Sequence, residues 1–246
     1  MEFNYLFTIS FLGTRYHGSQ IQKNALTVQE IVQNSLYQVL KEKTDVKFCS
    51  RTDSGVHAFR FCISFKSGIK LNQRPFISHM NHLLPKDIRA ISLKEVPNDF
   101  HARYSCKGKK YIYYFYNSEV MSPFWEGRAY QVPNTICMEK MREASTLFLG
   151  YHDFSSFCSV KSDIEDKRRT VYAINVDNPF QDIYTVSISA DGFLYNMARI
   201  IAGALLQYSR GKITLQEIEE YLNGKSRDNL LLTLPAYGLY LKEVYY

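Results

Sequence analysis

Within ten residues, SRTDSGVHAF at 50–59, the chain gathers an arginine, a carboxylate, three hydroxyls and a histidine around one glycine. Asp53 has the chemistry of a general base or nucleophile, and Arg51, two residues away, that of an anion-binding group. The triplet Asp53-Ser54-Gly55 also has the form used by aspartic proteases, where two carboxylates share one proton. That chemistry needs a second copy, and Asp191-Gly192 lacks the intervening hydroxyl. A neighbouring cation would also lower the carboxylate pKa and disturb the sharing. The plain alternative for Asp53 is a turn residue whose side chain caps nearby N–H groups. The local pattern leaves both roles open.

Two distant positions also carry chemistry. Arg199 sits in GFLYNMARIIAGALL, among aliphatic residues. Its charge must snorkel to water or find a buried partner. A carboxylate is the best such partner, and Asp53 is one candidate. Tyr111 opens the run YIYYFY directly after KGKK. It is either core packing or, beside Lys109 and Lys110, a ring on which a base stacks. No GxSxG turn, phosphate-binding GxxxxGK[ST] loop or GxGxxG fingerprint occurs, so no nucleotide cofactor is expected. The five cysteines have no zinc-type spacing, and reduced, buried thiols of a cytoplasmic protein are expected, with no metal.

These residues need elements to hold them. Residues 3–11 read as a buried strand and 59–65 as another. Residues 27–41 read as a helix opened by the capping box TVQE. A helix over 74–84 stops at Pro85, and 88–96 alternates like a strand. After a polar break, 111–116 is a strand whose alternation sends Tyr111, Tyr113 and Phe115 to one face. Then follow a helix over 138–149, a strand pair at 170–177 and 183–190, helices over 193–208 and 214–222, and a last strand at 239–245. Strands and helices mix in both parts, which predicts an α+β fold of two related halves, 1–104 and 105–246. The expected frame is one extended, mainly antiparallel sheet with helices packed on it and a central cleft.

The chain has 246 residues and a net charge of +6. Residues 1–104 hold 14 Lys and Arg against 8 Asp and Glu, whereas 105–246 hold 16 of each. An excess confined to one half suits a surface that meets a polyanion. No apolar run is long enough for a membrane span, and the N-terminal MEFNYLFTIS lacks the basic region of a signal peptide.

Taken in order, GTRYHGSQIQ, RTDSGVHAF, HLLPKDI, FHARYSCKGKKYIYYFYN, HDFSSFC, DGFLYNMARIIAGALL and AYGLYLKEVYY resemble the tRNA pseudouridine synthase A family, from about residue 8 to the end. The resemblance implies an isomerase that converts uridine to pseudouridine in the anticodon stem-loop of tRNA, at tRNA positions 38–40, without cofactor or metal. It implies Asp53 as the catalytic carboxylate, Tyr111 as the active-site tyrosine and Arg199 as the active-site arginine. Arg51 resembles a residue that holds the flipped nucleotide. Arg15, His57, Lys109 and Lys110 are expected near the RNA. A homodimer is implied as well. The chain departs from the family pattern at Leu12, Ser19, Ser50, Arg60 and Phe61. These departures define the alternatives: a relative acting on another RNA site, or an RNA-binding or chaperone protein without catalysis.

Overall fold

The computed structural model describes residues 2–133, 135–160, 164–224 and 231–246. It divides into two compact units, Met1–Lys107 with Tyr240–Tyr246, and Gly108–Leu239. Each is an α+β assembly of strands with helices packed on them.

The first unit contains β1 (Phe3–Phe11), α1 (Val28–Leu40), β2 (Val46–Phe48), β3 (His57–Ser67), α2 (Gln73–Leu83) and β4 (Ile88–Val96). β1 is central and pairs antiparallel with β3 on one side and β4 on the other. The far side of β3 is shared. Its end at Ile63–Phe65 pairs with β2, and its start at His57–Ala58 pairs in parallel with the chain's last strand at Tyr240–Leu241. Sequence order places that last strand with the second half. Backbone pairing to β3, and a bond from the Lys107 N–H to the Tyr245 carbonyl at 2.8 Å, put it with the first unit instead.

The core of this unit follows from the strand alternation. Phe7 and Phe65 lie on adjacent strands, and Phe76 of α2 meets Phe7 edge-on at 5.3 Å between centroids. Truncating one of these rings to alanine costs about 3–5 kcal/mol. α1 buries Val28, Val32, Leu36 and Leu40, spaced four apart on one face. Its cap is Thr27, whose Oγ1 accepts the Glu30 N–H at 3.4 Å.

The second unit contains β5 (Gly108–Tyr116), β6 (Tyr130–Gln131), α3 (Met138–Ser145), β7 (Gly150–Asp153), β8 (Arg168–Phe180), β9 (Ile183–Ala190), α4 (Met197–Ser209) and α5 (Leu215–Leu222). β10 (Leu239–Tyr245) completes the chain. β9 pairs antiparallel with β5 and β8, β8 with β7, and the short β6 runs parallel to the end of β5. β5 buries Tyr111, Tyr113 and Phe115 on one face, as its alternation predicts. At α5 the capping box TLQE is complete: the Glu217 N–H donates to Thr214 Oγ1 and the Thr214 N–H to the Glu217 carboxylate.

α4 begins at Met197, four residues later than the apolar run predicts. Asn196 takes φ of +65°, left-handed backbone that cannot extend a helix towards its N-terminus. α3 is shorter than expected and passes into a one-turn helix at Thr146–Phe148. Cys49, Cys62 and Cys158 are buried, but Cys106 and Cys137 are only half-buried, and none of the five forms a disulfide. Among the described residues no helix is long and apolar enough to cross a membrane.

Candidate active site

Asp53 stands on a tight turn that leads into β3. The Val56 N–H donates to the Asp53 carbonyl at 3.2 Å, and Gly55, third in the turn, has φ of +84°. A glycine supplies that backbone without steric cost. Asp53 is half-buried and Arg51 is exposed. The local reading as a turn residue and the chemical reading therefore describe the same place.

What holds the turn is a second loop, residues 13–19. At one end the Gly13 N–H donates to Nδ1 of His57 at 2.8 Å. In the middle, the Tyr16 carbonyl accepts the Gly55 N–H at 3.4 Å and the Ser54 hydroxyl at 3.3 Å. At the other end, Ser19 donates its N–H to the Thr52 carbonyl at 3.1 Å, and its Oγ accepts the Thr52 N–H at 2.8 Å. The loops approach so closely that a Cβ on Gly13 would lie 1.9 Å from the Val56 carbonyl oxygen, and one on Gly18 would lie 2.5 Å from that of Thr52.

The structure changes the reading of His57. Its ring is fully buried, so it does not face an RNA directly. Accepting a hydrogen bond at Nδ1 requires the lone pair there and places the ring proton on Nε2. The ring also packs on Tyr240 at 4.4 Å, and Phe59 stacks on the other part of that row at 4.9 Å from Tyr240. His57 thus anchors the start of β3 just past the turn. Arg15, by contrast, is exposed on the bracing loop, 3.5 Å from the Asp87 carboxylate. Its neighbour Tyr16 donates its hydroxyl to Asp87 at 2.7 Å. Burial first, and that hydrogen bond second, raise the Tyr16 pKa well above the usual phenol value.

In the second unit, Tyr111 lies on β5 with its ring buried and meets Phe193 edge-on at 4.8 Å. Lys109 and Lys110 precede it, half-buried, opposite Ala190 and Ser189. Arg199, in the first turn of α4, is half-buried and hydrogen-bonded. Its Nε donates to the Leu234 carbonyl at 2.6 Å, and one terminal nitrogen donates to the Asn196 side chain at 2.7 Å.

Arg199, Gly203 and Gln207 are spaced four apart on one face of α4, and that face carries the segment 231–235. Gln207 accepts the Leu232 N–H at 2.9 Å. A Cβ on Gly203 would lie 2.2 Å from the Leu232 carbonyl oxygen. Tyr113 donates its hydroxyl to the Pro235 carbonyl at 2.8 Å. Burial raises the Tyr113 pKa first, and the nearby Tyr237 second, while the Arg199 charge opposes them. Tyr113 helps hold the segment that Arg199 also binds, a contact the sequence reading did not single out. Its signal is its position two residues after Tyr111, on the same strand face. Among the described residues no group of His, Cys, Asp and Glu side chains is arranged to hold a metal ion.

The sequence model of the tRNA pseudouridine synthase family matches residues 8–105 and 144–246, which carry Asp53 and Arg199. Among curated proteins, the chain is 42% identical over 239 residues to a tRNA pseudouridine synthase A of Ruminiclostridium cellulolyticum, covering 97% of this chain and 98% of that protein. It is 41% identical to one of Acetivibrio thermocellus, covering 97% of both. It is 36% identical to one of Staphylococcus aureus, covering 98% of this chain and 90% of that protein. Among solved structures, a Cbf5-Nop10-Gar1 complex superposes with a TM-score of 0.37 at 14% identity, over 82% of this chain and 45% of that one. The match across both units, at such identity over nearly the whole length, establishes that the chain belongs to the tRNA pseudouridine synthase family and is an isomerase that converts uridine to pseudouridine.

Proposed function

We propose that this enzyme modifies uridines in the anticodon stem-loop of tRNA, with Asp53 as the catalytic carboxylate. The observation that carries the reading is the braced turn. It presents a half-buried carboxylate beside an exposed arginine, in a segment held by five hydrogen bonds from another loop. Tyr111 is the aromatic residue of the site and Arg199 its fixed positive charge. Arg51, Arg15, Lys109 and Lys110 meet phosphates, and His57 serves by holding the loop. The enzyme works as a homodimer in the cytoplasm.

The chemistry is a balanced isomerisation. The bond from the sugar to the base nitrogen breaks, and a bond from the same sugar carbon to a base carbon forms. One proton moves from that carbon to the nitrogen, so no oxidant or cosubstrate is consumed. Asp53 must be ionised to act as nucleophile or base. A uridine in a stem must first leave the stack, at a cost of a few kcal/mol. Cations that grip the backbone on either side offset that cost.

The departures favour attention to a second reading, an RNA site other than the anticodon stem-loop. Arg60 is exposed, whereas Phe61 is fully buried against Phe11 and Phe48. Phe61 is therefore a core change, and Arg60 is the one that alters surface. Mapping pseudouridine at single-nucleotide resolution in unmodified tRNA transcripts decides between the readings. Product in the anticodon stem-loop that is lost in Asp53→Asn supports the first. Product elsewhere supports the second, and binding without product on any RNA refutes Asp53 catalysis. Sedimentation of the free protein tests the dimer. RNA affinity should fall steeply with salt.

A further inference from the structure

We infer that Ser19 is a positioning residue for the reaction: its two hydrogen bonds to the backbone of Thr52 set the direction in which Asp53 leaves the turn. The inference rests on Asp53 being the catalytic carboxylate.

Ser19 is fully buried and lies 33 residues before Thr52 in sequence. It contacts both sides of one residue. Its main chain donates to the Thr52 carbonyl and its side chain accepts from the Thr52 N–H. The peptide planes before and after Thr52 are both held, and the second of them leads directly to Asp53. The Thr52 side chain adds nothing to this restraint. Among the described residues, its Oγ1 is the buried side-chain polar atom without a hydrogen-bond partner. The backbone bonds from Ser19 are therefore what orient Thr52. Gly18, with φ of +87°, turns the bracing loop so that Ser19 faces Thr52 at that distance. The other two braces, at Tyr16 and Gly13, act beyond Asp53, on Ser54, Gly55 and His57. Ser19 is thus the restraint on the side that precedes the carboxylate.

A serine-to-alanine change at this position removes the acceptor and leaves the Thr52 N–H buried and unpaired. The turn then relaxes towards another partner. Displacements of about 1 Å at a catalytic group cost roughly 100-fold in rate, so kcat is expected to fall by about 10- to 100-fold in Ser19→Ala. The KM for tRNA should stay within about twofold of the parent, because uniform binding is untouched. Ser19→Thr keeps the Oγ and should restore most of kcat.

Ser64→Ala is the matched control. Ser64 is also buried in the first unit, and its Oγ accepts the Ala102 N–H at 2.9 Å. Its loss removes the same kind of bond away from Asp53. Ser64→Ala should lower the melting temperature as much as Ser19→Ala does and leave kcat unchanged. The test measures kcat and KM on one tRNA transcript for all three variants and for Asp53→Asn, together with melting curves. If Ser19→Ala retains parental kcat, or loses no more than Ser64→Ala, the inference is overturned while an inactive Asp53→Asn keeps the carboxylate assignment. If Asp53→Asn is active, both fall together.

Discussion

Gly13→Ala tests the bracing of the Asp53 turn with a single added carbon. Gly13 is buried, and its new methyl would sit 1.9 Å from the Val56 carbonyl oxygen and 2.6 Å from the carbonyl carbon. Both are backbone atoms, so no side chain can swing aside. Ordinary contact begins near 3.4 Å, so the two loops must separate by about 1.5 Å. Val56 closes the turn through its bond to the Asp53 carbonyl, and the movement passes to Asp53. A shift of about 1 Å costs roughly 100-fold in rate, so kcat should fall by at least that factor, or about 2.7 kcal/mol in activation free energy. The same separation stretches the buried bond from the Gly13 N–H to His57, which costs about 1–3 kcal/mol of stability. The assay pairs kcat on a tRNA transcript with a urea unfolding curve. Gly68→Ala serves as the control, since a Cβ there meets nothing within 4 Å. A Gly13→Ala enzyme with kcat within twofold of the parent and an unchanged unfolding midpoint would refute the reasoning.

Arg199, Asn196 and three tyrosines carry the remaining outcomes. Arg199→Lys keeps the charge but loses the fork that reaches both the Leu234 carbonyl and the Asn196 side chain. It should lose about 1–3 kcal/mol of stability by urea unfolding and at least tenfold in kcat. Asn196→Ala places a Cβ residue without a helpful side chain at φ of +65° and removes an Arg199 partner, whereas Asn196→Gly relieves the backbone and removes only the partner. Alanine should therefore melt lower than glycine, with kcat reduced in both. At alkaline pH, Tyr16, Tyr113 and Tyr246 all have raised pKa values, with burial the largest cause in each. The folded chain keeps protons that the unfolded chain releases above about pH 10, so stability present at neutral pH is lost as pH rises through that value. Urea midpoints should hold up to about pH 10 and fall above it, and Tyr113→Phe should flatten that fall while losing about 1 kcal/mol from its bond to Pro235.

The elements that were legible in advance share one property: their signals are local. Thr214 and Glu217 are three residues apart and fully announce the start of α5. The alternation of Tyr111, Tyr113 and Phe115 announces both β5 and its buried face. β2 and β6, at three and two residues, carry too little periodicity to be read. The start of α4 was misplaced because composition cannot reveal that Asn196 is left-handed.

For the site, the order of motifs along the chain determined the family, and with it which carboxylate, tyrosine and arginine to consider. Residue type offered a turn at Asp53 as one of two readings, and the folded chain has that turn. Only the folded chain decided that His57 is a buried acceptor, that Ser19 reaches Thr52 across 33 residues, and that Arg199 grips a backbone carbonyl. Those are contacts between segments with no shared period or spacing. They arise where close approach at Gly13, Gly18 and Gly203 lets one backbone lie on another, and burial then leaves each N–H and carbonyl to find a partner inside the protein.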